Sequence, residues 1–185
     1  MKRQIETSRL FLAPATIDDF GDCVRYWSAP AIPCLNGVPP DRESCWARFL
    51  QNHGHWQLFS YGLWLIWEKD TSTLIGEVGF VNAQRETCPL LGNDPEFGLV
   101  LLPSEQGQGF ASEAASAVHV WSDARWPGRD TIGVTTAANA AALRLTGKLG
   151  YRPGGQGSYH GEAVVFLRRR STHVDSTAAL RAIAA

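Results

Sequence analysis

The sequence has no excess of charge of either sign. Its 185 residues include 17 Lys and Arg against 18 Asp and Glu, which gives a formal net charge of −1. The longest basic block is Arg168–Arg170, which closes an apolar run and is typical of a solvated strand end. Because nucleic-acid-binding proteins concentrate basic side chains on one face, we expect no nucleic-acid partner.

Long apolar runs are also missing. A membrane-spanning helix needs about 20 consecutive, mostly apolar residues, and no stretch of this chain approaches that length. The opening MKRQIETSRLFLAP has no apolar core of the kind that a secretory signal carries. These two absences predict a cytoplasmic protein with no membrane partner.

Cysteine is sparse, and its spacing argues against a disulfide framework or a zinc site. The cysteines are Cys23, Cys34, Cys45 and Cys88. They form no CxxC pair, so in a cytoplasmic chain we expect free thiols that serve mainly in packing. His53 and His55 are two residues apart and do not share a helix face, and no acidic residue is spaced to help them. We therefore predict no metal site.

The chain shows no internal repeat, low-complexity segment or linker, so we predict one domain over 1–170 and a tail over 171–185. Apolar alternation predicts strands at 9–13, 61–68, 73–82, 96–102, 131–136 and 163–169. Capping residues and helical periodicity predict helices at 16–28, 41–54, 107–125 and 139–149. In the second helix, Asp41 is the predicted cap and Gly54 the predicted end. This order of elements gives an α/β sandwich with a mixed sheet.

The most informative stretch is Pro95–Ala115, PEFGLVLLPSEQGQGFASEAA. In it a strand leads to a glycine-containing turn, and the turn opens an alanine-rich helix. The start of a helix presents free backbone N–H groups and a partial positive charge. Glycine lets an anion approach the backbone without a Cβ in the way. We therefore expect this turn to bind a phosphate or a pyrophosphate.

Two other interpretations of the turn stay open. Gly107-Gln108-Gly109 begins like the dinucleotide motif GxGxxG, but Ser112 replaces the third glycine. Asp130 has about the spacing of the acidic residue in such sites, yet it precedes the next strand instead of ending it. These departures disfavour a dinucleotide site. An ordinary glycine turn without a ligand is the remaining alternative.

A second block, Asn139–Arg152 (NAAALRLTGKLGYR), combines with the turn to resemble the GNAT superfamily of acyl-CoA N-acyltransferases. Gln106, Gly109 and Ala111 match the fixed positions of its first motif, (Q/R)xxG-x-(G/A). The residues that match or closely substitute in its second motif, Nxx(A/S)xxxYxKxGF, are Asn139, Ala142, Lys148, Gly150 and Tyr151. The opening TSRLFLAPATIDDF and the central TLIGEVGFVNA resemble the subgroup that acetylates ribosomal-protein N-termini and various small amines.

The resemblance implies a single-domain fold with flanking helices and a mixed, mostly antiparallel sheet that splays open between the strands at Glu96 and Thr131. It also implies acetyl-CoA as cosubstrate, with its pantetheine arm in the splay. The residues expected to hold the pyrophosphate are Gln106, Gly107, Gln108, Gly109, Phe110 and Ala111. Asn139 is expected to cap a helix and to bind the pantetheine amides. The backbone N–H groups of Leu99, Val100 and Leu101 are expected to stabilise the thioester oxygen as charge builds on it.

The acid–base chemistry is less well marked in the sequence. Glu96 opens the strand that carries the cosubstrate, so it is the first candidate for the base that takes a proton from an amine. Glu77 on the neighbouring strand is the second candidate. Ala142 and Thr146 stand where many relatives carry a Ser or a Tyr that acts as the acid. Thr146 is a candidate catalytic residue that can hydrogen-bond the leaving thiolate, but a threonine hydroxyl has too high a pKa to be an effective acid, so we expect no indispensable general acid.

The resemblance implies an N-acetyltransferase that moves an acetyl group from acetyl-CoA to a primary amine. The acceptor is expected to be a small-molecule amine or a peptide N-terminus, bound by the segments at 29–40, 46–56 and 84–94. Few acidic residues lie there, which argues mildly against a polycationic acceptor. A homodimer is possible. The absence of a clear acid leaves one alternative, a non-catalytic acyl-CoA-binding protein.

Overall fold

The computed structural model describes residues 4–30, 32, 39–84, 92–159 and 161–171. All but the first residue of the predicted tail lies outside the described residues, as do Cys34, Cys88 and most of the two predicted acceptor loops. Among the described residues there are four α-helices: α1 (Phe20–Trp27), α2 (Arg42–Phe59), α3 (Phe110–Arg125) and α4 (Ala140–Lys148). The strands of the same part of the chain are β1 (Ile5–Glu6), β2 (Leu10–Ala13), β3 (Leu63–Glu68), β4 (Thr73–Val81), β5 (Glu96–Leu101), β6 (Asp130–Thr135), β7 (Arg152–Tyr159) and β8 (Glu162–Arg170).

Backbone hydrogen bonds order the strands β1-β2-β3-β4-β5-β6-β8-β7 in one open, mixed sheet. The pairs β1/β2, β2/β3, β3/β4, β6/β8 and β7/β8 are antiparallel. β5 and β6 are parallel and pair at Glu96 and Ile132. The predicted α/β fold with a mixed, mostly antiparallel sheet and flanking helices is therefore confirmed.

Contacts divide the chain into two compact units. The first contains Met1–Gly79 and Leu99–Ala114, and the second contains Phe80–Gly98 and Ala115–Ala185. The first unit buries an apolar cluster, whose members come from α1, α2, β3, β4 and the segment after α1: Cys23, Tyr26, Trp27, Ile32, Cys45, Phe49, Leu65 and Leu74. Cys23 and Cys45 are free thiols, as the spacing of the cysteines predicts.

The second unit is built around β8, which pairs with β6 on one side and with β7 on the other. His119 of α3 is buried there against the rings of Phe80, Phe97 and Tyr151. The Tyr151 hydroxyl lies 3.0 Å from His119 Nε2 and 2.9 Å from Thr131 Oγ1. The imidazole and both hydroxyls therefore have partners inside the core, which buried polar groups require.

The predicted end of α2 at Gly54 is wrong, because the helix continues to Phe59. One more turn brings Trp56 into the core, where its indole N–H donates to the Leu63 carbonyl at 2.9 Å and its ring packs edge-on against Trp64. This packing outweighs the roughly 1 kcal/mol by which a glycine disfavours a helix interior. The helix ends instead at Ser60, which adopts a left-handed conformation with φ of 58°. Asp41 caps the other end, as predicted, by accepting from the Ser44 N–H.

Candidate functional site

The turn that leads into α3 has the geometry of an anion cradle. Gly107 and Gly109 have φ of 79° and 86°, a left-handed conformation that glycine adopts without strain. The first hydrogen bond of α3 runs from the Glu113 N–H to the Gly109 carbonyl at 3.1 Å. The N–H groups that precede Glu113 therefore have no partner inside the helix. They lie together at the positive end of the helix dipole.

The segment Thr7–Arg9 fastens the first turn of α3. One oxygen of Glu113, Oε1, accepts from the Thr7 hydroxyl at 2.6 Å, the Ser8 hydroxyl at 3.1 Å and the Arg9 backbone N–H at 2.9 Å. The other, Oε2, accepts from Arg9 Nε at 2.7 Å. Partial burial opposes ionisation, but these hydrogen bonds hold the pKa of Glu113 below its usual value. The sequence motifs TSRL and SEA, which lie about 100 positions apart, therefore meet at one carboxylate.

Arg9 also places positive charge beside the glycine turn. Its guanidinium donates to the Gln108 carbonyl at 3.0 Å and lies 4.4 Å from the centre of the Phe110 ring. A Cβ built on Gly109 would lie 3.3 Å from Arg9 Nη2, so a side chain there would press on the guanidinium. An anion at this turn would meet the helix N-terminus and a cation together. The sequence reasoning found the glycines but missed Arg9, whose position depends on contacts distant in sequence.

The end of β5 is held to neighbouring elements of the same unit. The Tyr26 hydroxyl donates to the Val100 carbonyl at 3.0 Å, and the Leu102 N–H donates to the Ile75 carbonyl at 2.9 Å. A Cβ on Gly76 would lie 2.5 Å from the Val100 carbonyl oxygen, so β4 passes very close to this segment. Leu99 and Val100 are half-buried and Leu101 is buried.

A cavity of about 580 Å³ lies in the first unit, with Glu77 on its wall. Its other walls come from Gln4 before β1, from the segment after β2, from α1 and α2, and from β3. Apolar side chains predominate among the described residues that line it; the large ones are Ile17, Trp27, Phe49, Trp56, Leu63 and Leu65. The size is in the range of small-molecule sites.

Glu77 is almost fully buried, at 2% exposure. Its Oε2 accepts from Arg48 Nη2 at 2.7 Å, while Oε1 accepts a long hydrogen bond of 3.4 Å from Asn52. Burial raises the pKa of Glu77, and the Arg48 guanidinium pulls it back. The Arg48 guanidinium in turn lies 4.8 Å from the centre of the Trp27 ring. The fold therefore buries a carboxylate with one oxygen in a short hydrogen bond to Arg48 and the other in a long one to Asn52.

The remaining predicted site residues belong to the second unit. Glu96 is buried, at 7% exposure, where β5 pairs with β6. Asn139 caps α4, because its side-chain oxygen accepts from the Ala142 N–H at 3.0 Å. Thr146 is buried in α4 and its hydroxyl donates to the Ala142 carbonyl at 2.7 Å.

Within the described part of the chain, no three His, Cys, Asp or Glu side chains converge as a metal site would need. None of the helices in that part is both long and apolar enough to cross a bilayer.

Comparison with known proteins identifies a family for this chain. The family model for the acetyltransferase (GNAT) domain matches residues 9–152. No curated protein matches the chain significantly. Among solved structures, a GnaT-family acetyltransferase from Bordetella pertussis is 23% identical, with a TM-score of 0.84 over 91% of this chain and 99% of its own.

Two further structures carry ligands. RimL, a ribosomal L7/L12 alpha-N-protein acetyltransferase solved with coenzyme A, is 17% identical, with a TM-score of 0.75 over 92% of this chain and 99% of its own. A phosphinothricin acetyltransferase from Sinorhizobium meliloti, solved with acetyl-CoA, is 19% identical, with a TM-score of 0.66 over 91% and 92%. At these identities the structures establish the shared fold.

Proposed function

The chain belongs to the GNAT acetyltransferase family, and from that premise we propose that it transfers an acetyl group from acetyl-CoA to a primary amine. The observation that carries the proposal is the anion cradle at the start of α3. It combines two left-handed glycines, the free N–H groups of a helix N-terminus and the Arg9 guanidinium. The acceptor is a small-molecule amine or a peptide N-terminus.

The cradle fits the pyrophosphate of acetyl-CoA. A diphosphate brings negative charge to the N–H groups from Gln108 to Ala111, where the helix dipole favours it. Arg9 stands beside these groups with its side chain 45% exposed, so it can reach an anion while it keeps its bonds to Glu113. Gln106, Gly107 and Asn139 complete the proposed cosubstrate-binding set, on the strength of the family motifs.

The chemistry needs a neutral amine. An α-amine with a pKa of about 8 is roughly one-tenth neutral at pH 7, whereas a lysine-type amine with a pKa of about 10.4 is almost fully protonated. A buried carboxylate can take the proton. The sequence suggests Glu96 first and Glu77 second, but the cavity gives a small molecule access to Glu77. On this geometry we rank Glu77 before Glu96 as the proposed base.

The proposed transfer is a direct displacement. The amine nitrogen attacks the thioester carbonyl, a C–N bond forms, the C–S bond breaks, and the proton from nitrogen goes to the carboxylate. Backbone N–H groups at Leu99, Val100 and Leu101 are proposed to stabilise the charge on the carbonyl oxygen. Coenzyme A leaves as the thiolate, because Thr146 already donates its hydroxyl proton within α4.

A thiol-release assay tests the proposal. Purified protein, acetyl-CoA and a panel of amines, amino acids and peptides are incubated, and free thiol is measured together with the mass of the acetylated amine. We expect amine-dependent thiol release with matching acetyl product. Tight acetyl-CoA binding without thiol release for any acceptor would instead favour the non-catalytic acyl-CoA-binding protein. Location in the cytoplasm, a homodimer, and the absence of nucleic-acid and membrane partners stay predictions from the sequence.

A further inference from the structure

The cavity beside Glu77 has no assigned occupant. We propose that it is the acceptor site and that it takes a primary amine carried on an apolar, ring-sized body. The proposal rests on the proposed acetyl transfer, because it names the acceptor class for that reaction. The proposal is based on the composition of the cavity wall, on two polar atoms of that wall that can make further hydrogen bonds (Glu77 Oε1 and Trp27 Nε1), and on the closeness of β4 to β5.

The walls favour an apolar body. The cavity measures about 580 Å³, and its large apolar wall residues are two indoles, one phenyl ring, two leucines and an isoleucine. Burying apolar surface is favourable at roughly 25 cal/mol per Å². A polyamine has little apolar surface to bury and several charges to desolvate. Such a cavity therefore selects against a polycation and for an amine with a ring or a branched chain.

The polar end favours an amine. Among the described residues that line the cavity, Glu77 is the acidic one and none is Lys or Arg. Its Oε1 lies 3.4 Å from the Asn52 side-chain nitrogen, a long contact that leaves it able to accept a short hydrogen bond from an incoming N–H. Arg48 holds the other oxygen and fixes the orientation of the carboxylate.

A second polar atom on the same wall is incompletely satisfied. Trp27 is 2% exposed and lines the cavity. Its indole N–H lies beside the Glu77 carboxylate, whose pKa it lowers, yet it has no hydrogen bond of good geometry within the described part of the protein. Buried donors are almost always paired in folded proteins. A hydrogen-bond acceptor next to Glu77, such as the lone pair of a neutral amine before it attacks the thioester, would satisfy this donor.

The cavity also lies beside the strand expected to carry the thioester. Glu77 follows Gly76, which approaches the Val100 carbonyl of β5 so closely that a Cβ would not fit. Tyr26, one residue before Trp27, donates its hydroxyl to the same carbonyl at 3.0 Å. An amine held at Glu77 would therefore sit one strand away from Leu99–Leu101.

Steady-state kinetics with matched acceptors test the acceptor class. The panel is 2-phenylethylamine, spermidine and a short peptide with an N-terminal Phe. We expect the kcat/KM for 2-phenylethylamine to exceed that for spermidine at least tenfold. Efficient acetylation of the peptide as well would support the proposal and show that the apolar amine can be the N-terminal residue of a peptide. A preference for spermidine would overturn the proposal.

A cavity-filling variant tests the location. Leu63→Trp replaces a leucine side chain on the cavity wall, at the first residue of β3, by a larger indole. Leu58→Trp is the control, since Leu58 is 80% exposed and does not line the cavity. We expect Leu63→Trp to raise the KM for 2-phenylethylamine at least tenfold while the affinity for acetyl-CoA stays unchanged, and Leu58→Trp to change neither. Unchanged KM in a folded Leu63→Trp protein would show that the acceptor binds elsewhere.

A spectroscopic measurement separates binding from catalysis. In protein with ¹⁵N-labelled tryptophan, the Trp27 indole N–H signal is assigned from its loss in Trp27→Phe. We expect 2-phenylethylamine to shift this signal even without acetyl-CoA. A shift without any thiol release would keep the binding site and reject the acetyl transfer. Thiol release with no shift of this signal would keep the transfer and reject the binding site.

Discussion

At the scale of single residues, Thr146 shows how a polar side chain in the second motif is already committed. Its hydroxyl donates to the Ala142 carbonyl at 2.7 Å, one turn earlier in α4. A thiolate leaving group has a pKa of about 8.5 and does not require a proton donor at neutral pH. We expect Thr146→Val to lower turnover less than about tenfold, as measured by thiol release. A loss of several hundredfold with acetyl-CoA affinity intact would show that this hydroxyl acts on the leaving sulfur.

Two buried carboxylates compete for the role of base, and one pair of variants decides between them. We expect Glu77→Gln to lower kcat by about 10²-fold, the usual contribution of a general base, and Glu96→Gln to have a smaller effect. The loss of kcat should shrink as the pH rises, because a larger fraction of the amine in solution is then already neutral and needs no base. Circular dichroism controls for folding, since Glu77 also pairs with Arg48. The opposite order of losses would return the role to Glu96.

At the scale of elements, α2 shows that tertiary packing can continue a helix through a residue that disfavours helix. Gly54 lies inside the helix and nothing is within 4 Å of a Cβ built there. Gly54→Ala should therefore raise the free energy of unfolding by about 0.5–1 kcal/mol, because alanine loses less backbone entropy in a helix. Gly79→Ala is the contrasting variant, because φ is 156° there and the new Cβ would lie 2.2 Å from the Gly62 carbonyl oxygen. Denaturant titration should move the two variants in opposite directions, and a destabilised Gly54→Ala would contradict this reasoning.

The elements that the sequence predicted and those it did not differ in a physical way. β3, β4, β5, β6 and β8 carry apolar alternation or buried runs, so their bounds were predicted to within about two residues. β7 reads RPGGQGSY and is largely exposed, with no apolar pattern to mark it. β1 has two residues and exists through its pairing with β2. Strands of this kind are defined by their partner, which local sequence does not contain.

Parts of the candidate site that lie in one short segment were predictable from the sequence, and parts assembled from distant segments were not. The glycine turn was predictable because one short segment contains the strand, both glycines and the helix start. The hydrogen bonds of Thr7–Arg9 to Glu113 and the cavity beside Glu77 were not predictable, because their residues come from segments distant in sequence. Trp27 and Glu77, for example, are 50 positions apart and meet only when α1 packs on β4.

At the scale of the whole molecule, stability should depend on the protonation of His119. Desolvation is the main cause that lowers its pKa from 6.5 to about 4, and the nearby Arg169 acts in the same direction. The unfolded chain therefore binds a proton on this imidazole between pH 6.5 and 4 while the folded protein does not. Stability is lost as the pH falls through this window, by an amount on the order of 3 kcal/mol.

The variant His119→Gln tests this dependence. Unfolding free energies are measured at pH 7 and near pH 4.5 for wild type, His119→Gln and His53→Gln, whose imidazole is exposed. We expect the acid-induced loss to be smaller in His119→Gln than in wild type, and unchanged in His53→Gln. An equal loss in all three proteins would show that His119 is not the group responsible.

The anion cradle that defines the proposed acetyl-CoA site is tested most directly by calorimetry of acetyl-CoA on three proteins. They are wild type, Gly109→Val and Gly128→Val. Gly128 has φ of 77° and no atom within 4 Å of a built Cβ, so its variant carries the same backbone strain away from the cradle. We predict that Gly128→Val binds acetyl-CoA as wild type does and that Gly109→Val loses at least about tenfold in affinity, or 1.4 kcal/mol. A folded Gly109→Val protein with wild-type affinity would show that the pyrophosphate does not bind at the start of α3.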